Sequence, residues 1–584
     1  MKTLTDEIKE IIDNAGINAG YKDIDVTILP CNVSGMGDFQ CNNAMAMAKA
    51  YGKNPREIAN EIVNSISANE IITEISIAGP GFINITVSND YLGKFVIKYM
   101  NALNEKLDID NKNIIIDYGG ANVAKPLHVG HMRSAIIGES IKRICKFAGN
   151  NVLGDVHLGD FGLQMGMVIS EIERRQPNLV YFDKSYTGDY PTESPITIED
   201  LATLYPEANA KAKADENIMN EAKQATLEFQ QGRRGYVALI NKILEISKQD
   251  LKKNYESLNV NFDLWLGESD SKPYCDKIIK EIEDKNLARI SEGALIVDVA
   301  EDGDKIEVPP FILKKSDGAV LYSTTDLATI VQREQEYNAD RIIYVVDNRQ
   351  EMHFTQLFRC VEKTRLLAKK VELNFVGFGT MNGKDGKPYK TREGGVMQLK
   401  MLINEVKQKA YEKVNLAKGN DLSYSKEEMQ EISDTVAISA LKFADLSIFR
   451  SKDYIFDVDK FCSFEGKTGP YLLYTITRAK SILRKVDNTY GSDFVSEYTP
   501  KELLLALIDL KDEIKKAYIE LAPSYLCDYV YKVANLFNSF YNSCNIINES
   551  DVIKKNTWLN LTKYTLDIME LTLDLLGIKT LNKM

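Results

Sequence analysis

Two histidines three residues apart, His128 and His131, lie in a stretch at 122–140 whose residue types and spacing could support chemistry. An apolar run at 114–116, typical of a buried strand, precedes them, and a helical pattern that starts with small residues follows. A strand, a loop and a helix N-terminus form a common polyphosphate site, because the first N–H groups of a helix have no partner within it. Gly130 separates the imidazoles, so we expect both rings to face one phosphate-bearing ligand. The alternative is that one of them only packs against its neighbours.

The composition is that of a large globular protein: 584 residues, of which 44% are hydrophobic and 27% charged, enough for roughly three or four domains. No uncharged apolar run reaches the roughly 18 residues that a membrane helix needs, and the amphipathic start at 1–13 is unlike a signal sequence, so we expect a cytoplasmic protein. The eight cysteines form no C-x-x-C pair, which predicts neither a metal site nor a disulfide framework. The net charge of −12 argues against nonspecific coating of nucleic acid but leaves room for a local basic groove.

The hydrophobic patterns predict a multidomain α/β protein. Residues 1–110 read as an N-terminal α+β module, with two short strands around the turn at 79–81. In 111–425 strands alternate with helices, which indicates a Rossmann-type catalytic domain on a parallel sheet, with an insertion at about 181–300. Residues 426–584 follow helical spacing almost throughout and predict an all-α helix bundle.

Several motifs occur in a fixed order along the chain. Besides the His-Val-Gly-His loop they are Gly-Pro-Gly-Phe-Ile-Asn at 79–84, Gly-Asp-Phe-Gly-Leu-Gln at 159–164, Tyr-Ser-Thr-Thr-Asp at 322–326, and the segments 347–356 and 464–471. This ordered series resembles the arginyl-tRNA synthetases, which are class I aminoacyl-tRNA synthetases, over nearly the whole chain. The resemblance implies that ATP and L-arginine form an arginyl-adenylate, and that the arginyl group then passes to the 2′-hydroxyl of the terminal adenosine of tRNA(Arg). Members of this family generally need tRNA to activate arginine.

The resemblance implies that positioning and electrostatics carry the reaction, since neither step needs a protein nucleophile. His128 and His131 then donate hydrogen bonds to the phosphates of ATP, with Gly130 between them. The usual Lys-Met-Ser-Lys-Ser loop is absent, and 386–395 occupies its place. We expect Lys125 and Lys390 to act as mobile phosphate clamps; the alternative for Lys390 is an incidental lysine in a glycine-rich hairpin. ATP with Mg²⁺ is expected as the substrate complex, without a tightly bound prosthetic group.

Selection of arginine requires acceptors that match the donors of a planar guanidinium group. By resemblance Asp326 is the leading candidate, Tyr322 packs on or bonds to the guanidinium, and Gln350 contributes an amide oxygen. Asp117 would add negative charge at the end of the first strand, and Asn122 would hold the backbone groups of the substrate. The other interpretation of Asp326 is an N-cap for the helix that follows it.

Further residues are expected to contact the adenosine or the tRNA. His353 and Gln356 are three positions apart on one predicted helix face, where they contact ATP or serve as satisfied polar core groups. Tyr471, Tyr474 and Arg478 form one aromatic and basic helix face that could stack bases and bind phosphate; the alternative is a core stripe.

By resemblance the C-terminal bundle reads the anticodon, the N-terminal module touches the outer corner of the tRNA, and the protein is a monomer. Asp160 and Gln164 belong to a segment that resembles the family's Gly-Asp-Trp-Gly motif, in which Phe161 replaces the tryptophan. A catalytically inactive tRNA-binding paralogue is the alternative function. A synthetase for another amino acid, such as cysteine or glutamate, is opposed by the absence of cysteine zinc ligands.

Overall fold

The computed structural model describes residues 2–22, 24–31, 33, 35–316, 318, 320–389, 397–418, 424–486 and 490–584. The N-terminal part is an α+β module. In chain order its elements are α1 (Leu4–Asn18), β1 (Ile28–Pro30), β2 (Phe39–Cys41), α2 (Asn43–Tyr51), α3 (Pro55–Asn64), β3 (Ile72–Ala78), β4 (Phe82–Val87) and α4 (Asn89–Asn101). The strands form an antiparallel sheet in the order β1-β2-β4-β3. The predicted pair of strands around the turn at 79–81 is confirmed; Gly79 and Gly81 take positive φ values there.

A four-stranded parallel sheet lies at the centre of the chain. Its first half is β5 (Asn113–Asp117), α5 (Val129–Phe147), β6 (Asn151–Asp155) and α6 (Leu163–Arg175). Its second half is α11 (Tyr322–Tyr337), β10 (Arg341–Asp347), a 3-10 helix (Asn348–Gln350), α12 (Glu351–Thr364) and β11 (Glu372–Phe378). The order β11-β10-β5-β6 joins the halves through parallel pairing of β10 with β5, which confirms the predicted parallel sheet.

The two halves are separated by helices and a small antiparallel sheet. These elements are α7 (Ile198–Ala214), α8 (Glu216–Gln230), α9 (Arg234–Ser257), α10 (Glu268–Asp284), β7 (Arg289–Ser291), β8 (Ala294–Val297) and β9 (Phe311–Lys314). The helix α10 packs on α11, so the inserted segment returns to the catalytic sheet before β10.

The C-terminal part is helical, as predicted. After β12 (Met381–Asn382) and α13 (Leu399–Lys418) it contains α14 (Lys426–Leu446), β13 (Tyr454–Ile455), α15 (Val458–Phe461), α16 (Gly469–Arg484), a 3-10 turn (Ser496–Tyr498), α17 (Lys501–Ile508), α18 (Leu510–Glu520), α19 (Ser524–Ser543) and α20 (Val552–Leu575). The buried side chains of the N-terminal module, the parallel sheet and these helices form one continuous hydrophobic cluster. Within the described residues, no helix is both long and apolar enough to span a bilayer.

The helix α5 is the element that unites the molecule. Its residues from Met132 to Cys145 are almost all buried, because it packs against the parallel sheet and also against α13, α14, α18 and α20. Its N-terminus carries the two histidines of the predicted phosphate site, so the position of that site depends on both the sheet and the C-terminal helices.

Candidate active site

The two predicted histidines lie together at the N-terminus of α5. His128 is the N-cap residue, and its Nδ1 accepts a hydrogen bond from the Gly130 N–H at 3.1 Å. The Nδ1 of His131 accepts from the backbone N–H of His128 at 3.0 Å, so the pair caps the helix reciprocally. Their rings stack with centroids 3.8 Å apart and 25° between the planes. Both imidazoles therefore lie in the first helical turn, where unpaired N–H groups favour an anion.

Both imidazoles are neutral near pH 7. Burial and the adjacent His128 ring lower the pKa of His131 to about 3. Partial burial and the ammonium group of Lys125 also lower the pKa of His128. A neutral ring whose Nδ1 accepts a hydrogen bond carries its proton on Nε2. Each histidine therefore offers one Nε2–H donor without adding positive charge.

Lys125 lies on the loop that leads from β5 to the histidines. Ala124, directly before it, has a φ of 63°, in the left-handed region that L-residues rarely adopt. The Nζ of Lys125 lies 4.5 Å from the ring centroid of Tyr205 on α7. The charge of Lys125 lowers the pKa values of both histidines, which places its ammonium in the electrostatic field of the site.

The other predicted phosphate clamp, Lys390, lies outside the described residues. The chain that follows it pairs with the histidine loop: the N–H of Val129 donates to the carbonyl of Met397 at 3.3 Å, and that of Leu399 to the carbonyl of Leu127 at 2.8 Å. Residues 397–399 are thus joined to the loop that carries His128.

Asp326 lies beside two other predicted site residues. His353 Nε2 and Asp326 Oδ2 form a hydrogen bond of 2.7 Å, and the His353 ring lies 5.1 Å from that of Tyr322. Tyr322 is 62% exposed, so its ring is available to a ligand. The helix α11 begins at Tyr322 after Leu321 as N-cap, which puts Asp326 in the second turn. The alternative prediction, that Asp326 caps the following helix, is therefore wrong.

Glu268 is a second carboxylate near Asp326 that the sequence reasoning missed. Burial, and then the negative charge of Asp326, raise the pKa of Glu268 to about 7. It is the first residue of α10, and the neighbouring Ser269 is fixed by Asp160, whose carboxylate accepts from the Ser269 N–H at 2.9 Å and from its hydroxyl at 2.6 Å. The only signal in the sequence was a carboxylate at a helix start, Gly-Glu-Ser-Asp at 267–270, which is common in any protein.

Asp117 lies at the end of β5, as predicted, but its charge is already partnered within the protein. The guanidinium of the fully buried Arg333 contacts Asp117 Oδ2 and Asp155 Oδ2, each at 2.7 Å. Burial raises the pKa of Asp117 despite this arginine. His157 is also buried; burial lowers its pKa, but the interaction with Asp155 and the charge of Asp117 outweigh it and raise that pKa to about 9.

The ligand atoms of Asp117, Asp155 and His157 lie within 4.8 Å of one another, a spacing that a metal ion could bridge. The guanidinium of Arg333 and the imidazolium of His157, which its raised pKa keeps protonated at pH 7, together balance the two carboxylates, so the arrangement is better described as a buried ion network.

The predicted amide side chains differ in their surroundings. Asn122 lies in the histidine loop, and its Oδ1 accepts from Gln164 Nε2 at 3.1 Å. Gln350 is exposed at the end of the 3-10 helix that follows β10. Gln356 Nε2 donates to the carbonyl of Pro309 at 2.7 Å, and thus fastens α12 to the segment before β9. His353 and Gln356 therefore make different contacts, although both lie on α12.

The predicted aromatic and basic face lies on α16. The Tyr471 hydroxyl donates to Asn535 Oδ1 at 2.8 Å and is half-buried. The guanidinium of Arg478 donates to Asn538 at 2.7 Å and lies 4.7 Å from the ring centroids of both Tyr474 and Tyr541. Tyr474 is 43% exposed. Tyr474 with Arg478 thus forms the accessible part of this face, while Tyr471 mainly joins α16 to α19.

A parallel sheet with paired histidines at the start of the helix after its first strand is the arrangement of a class I aminoacyl-tRNA synthetase. A family model described as "tRNA synthetases class I (R), catalytic domain" matches residues 96–458, "Arginyl tRNA synthetase N terminal domain" matches 2–87, and "DALR anticodon binding domain" matches 472–584. The chain belongs to the arginyl-tRNA synthetase family.

Similar proteins cover the chain from end to end. The arginine–tRNA ligases of Alkaliphilus oremlandii and Agathobacter rectalis are 49% and 47% identical, over 100% of this chain and 99% and 100% of theirs. The crystal structure of the Plasmodium falciparum arginyl-tRNA synthetase is 27% identical, with a TM-score of 0.81 and full coverage of both chains. The Thermus thermophilus arginyl-tRNA synthetase, 21% identical with a TM-score of 0.82 and full coverage of both chains, has the same fold. None of these findings supports the alternative of an inactive paralogue.

Proposed function

We propose that this chain activates L-arginine with ATP and transfers the arginyl group to tRNA(Arg), and that activation requires the tRNA. The observation that carries the proposal is a neutral histidine pair at the N-terminus of α5 together with two neighbouring carboxylates, Asp326 and Glu268. The charges of Asp347, which ends β10, and of Arg349 act on His128, so the end of β10 and the histidine loop form one site. In the first step a carboxylate oxygen of arginine attacks the α-phosphorus, and the bond to the bridging oxygen of pyrophosphate breaks.

The histidine pair suits phosphate stabilisation. The Nε2–H groups of His128 and His131 donate to phosphate oxygens while charge moves to the leaving pyrophosphate. Because both rings are neutral, they stabilise the transition state without fixing the product electrostatically. One preorganised donor of this kind contributes about 3 kcal/mol to the transition state. ATP enters with Mg²⁺ as its counter-ion, and no prosthetic group is needed.

Lys125 and Lys390 supply the positive charge as mobile clamps on the phosphates. Lys125 is on the loop that ends in His128, and the segment that contains Lys390 continues into the strand-like pairing of 397–399 with that loop. The pairing of residues 397–399 with this loop near the N-terminus of α5 supports a role for both lysines at the phosphates. Mobile side chains are suited to this task, since pyrophosphate must leave between the two steps.

The carboxylate pair selects the guanidinium group. Asp326 and Glu268 supply acceptors for its planar donors, and Tyr322 supplies an aromatic face. Glu268 binds a proton readily when the pocket contains no cation, and a bound guanidinium favours its ionised form. A neutral analogue such as citrulline would leave two carboxylates without a cation, which disfavours its binding. Gln350 contributes an amide oxygen to the guanidinium, Asn122 holds the backbone groups of the substrate, and His353 orients Asp326 through the hydrogen bond between them.

We assign one role to each of the three domains. Residues 111–425 form the catalytic domain, 1–110 bind the outer corner of the tRNA, and 426–584 read the anticodon, with Tyr474 and Arg478 as contacts for bases and phosphates. The DALR match at 472–584 and the exposed Tyr474 ring support the last assignment. We place the protein in the cytoplasm as a monomer, the usual state in this family.

Pyrophosphate exchange with each amino acid, with and without tRNA(Arg), tests the proposal. We expect exchange with arginine only, and only when tRNA is present. Exchange driven by another amino acid would refute the assignment of the pocket. No exchange and no charging under any condition would favour a tRNA-binding protein without activity.

A further inference from the structure

The helix α7 of the inserted segment reaches the loop that carries the catalytic histidines. Its Tyr205 lies beneath Lys125, with the ammonium nitrogen 4.5 Å from the ring centroid. This distance is within the range of a cation–π interaction. The Tyr205 ring is half-buried and packs against the main hydrophobic cluster, so its position is fixed by the fold of the insertion.

The backbone of the histidine loop is fixed around Lys125. Ala124 adopts its left-handed conformation one residue earlier, and the Lys125 N–H bonds to the carbonyl of Asn122 at 3.3 Å in a tight turn. The adjacent Val123 N–H is fixed to the carbonyl of Gly159 at 3.1 Å. The loop thus holds the Lys125 backbone firmly, whereas its four-carbon side chain is free to choose among many rotamers.

A cavity of about 180 Å³ adjoins the lysine. It lies between the histidine loop and the helices α7 and α9, and its lining includes Lys125, Leu201 and Ala202 as well as Gln398 and Lys400 from the chain after 396. This space gives the Lys125 side chain room to change rotamer without displacement of the loop. Lys125, α7 and the residues Gln398 and Lys400 thus line one cavity.

We propose that Tyr205 is a positioning residue for Lys125, and that the insertion contributes to catalysis by holding this lysine ready for the phosphates of ATP. The ring restricts the rotamers of a flexible cation, which lowers the entropic cost of bringing it to the phosphates. The contact is weak enough for the lysine to leave it, since phosphate oxygens attract an ammonium group more strongly than a ring does. The inference rests on the proposed function, in which Lys125 is a phosphate clamp.

Steady-state aminoacylation of tRNA(Arg) tests this role with three variants. Tyr205→Phe keeps the ring and should remain within about twofold of the wild type, while Tyr205→Leu should lower kcat/KM for ATP about tenfold, the size of a partly desolvated cation–π contact. The KM for arginine should not change. Tyr190→Leu is the matched control. The Tyr190 ring, elsewhere in the insertion, makes a similar contact with Arg234, whose Cζ lies 5.6 Å from the ring centroid. We expect wild-type kinetics for this variant.

Loss of folding must be separated from loss of the contact. Pentafluorophenylalanine at position 205 keeps the shape of the ring and reverses its electrostatic attraction for a cation, so it should reproduce the leucine defect without a change in Tm. A wild-type rate with this residue would overturn the proposal. A tenfold rise in the KM for arginine would also overturn it, because it would indicate general damage to the site.

A double-mutant cycle with Lys125→Ala decides whether Tyr205 acts through the lysine. In the Lys125→Ala background, Tyr205→Leu should cause less than a twofold further loss; a full tenfold further loss would overturn the inference. Unchanged ATP kinetics for Lys125→Ala alone would overturn it too, while charging of tRNA by the wild type would keep the proposed function intact. Failure of the wild type to charge tRNA(Arg) would instead reject the proposed function itself.

Discussion

Two imidazole rings that stack 3.8 Å apart cannot both carry a positive charge at low cost, and this limits what the histidine pair can do. The pKa values of both rings are lowered, and both Nδ1 atoms accept backbone hydrogen bonds. The pair is therefore a fixed set of neutral donors. In the proposed mechanism the positive charge for the phosphates comes from Mg²⁺ and from the lysines Lys125 and Lys390.

The helix cap and the catalytic donor of His128 can be separated by mutation. His128→Asn retains a side-chain acceptor for the N-terminus of α5 but removes the Nε2 donor. We expect the rate of arginine-dependent pyrophosphate exchange to fall about a hundredfold, and the Tm to stay within about 2 °C of the wild-type value. A rate within threefold of the wild type would show that the Nε2–H does not act on the phosphates.

The raised pKa of Glu268 predicts a pH dependence of arginine binding. Below about pH 7 this carboxyl group is protonated and loses its attraction for the guanidinium, so the KM for arginine should rise as pH falls from 8 to 6. Glu268→Gln should raise this KM at pH 8 and abolish its pH dependence. The KM for ATP serves as the internal control, and an unchanged pH profile in the variant would contradict the assignment of Glu268.

Glu268 is the first residue of α10, and Asp160 holds this end of the helix because its carboxylate accepts two hydrogen bonds from the next residue, Ser269. Asp160→Ala removes both bonds and should lower the free energy of unfolding by about 1 to 3 kcal/mol while raising the KM for arginine. Ser269→Ala removes only the hydroxyl bond, so it should cause about half of each effect. Equal kinetics for the wild type and Asp160→Ala would show that Glu268 is held in another way.

Periodicity was sufficient to predict most elements. The apolar run at 114–116 lies in β5, and the helical spacing at 426–584 corresponds to the C-terminal helices. The cluster of His128, His131 and Lys125 was also predictable, because these residues lie within one loop. Spacing alone does not report which distant residues meet, and for that reason the role of Glu268 was missed.

The same limit explains the outcome for Asp117. Its position at the end of β5 was predicted correctly, but its partner Arg333 is 216 residues away in sequence. In the sequence of α11 nothing distinguishes Arg333 from an exposed helical arginine. In the folded protein it contacts both Asp117 and Asp155. The N-cap interpretation of Asp326 was wrong for a local reason, since α11 begins one turn earlier, at Tyr322.

The helix α5, which carries the histidine pair at its N-terminus, is bonded to α20 near the end of the chain. Ser140 Oγ on α5 donates to the carbonyl of Leu575 at 3.0 Å, and Arg143 contacts Asp574 at 2.8 Å. The fully buried Lys442 of α14 donates to the carbonyls of Leu258 at 2.8 Å and Gly577 at 2.7 Å. The insertion, the C-terminal helices and α5 therefore meet at one buried ammonium group.

Lys442→Met should destabilise the molecule because two carbonyls lose a buried donor. We expect the free energy of unfolding to fall by about 1 to 3 kcal/mol, measured by urea denaturation, while Lys563→Met on the exposed face of α20 should change it by less than about 0.5 kcal/mol.

Burial also lowers the pKa of Lys442 from 10.5 to about 7. The unfolded chain binds more protons at this residue between these pH values, so wild-type stability should gain a rising contribution from pH 7 to 10.5 that the methionine variant lacks. Identical pH profiles for the two proteins would contradict the buried state of this lysine.

A crystal structure of the protein with L-arginine and a nonhydrolysable ATP analogue would show directly whether the two carboxylates bind arginine while the histidine pair binds ATP. We expect the guanidinium group to lie within hydrogen-bonding distance of the carboxylates of Asp326 and Glu268. The arginine carboxylate should be directed at an α-phosphate that His128 and His131 hold. An arginine head group bound away from these two acids, or phosphates distant from the N-terminus of α5, would contradict it.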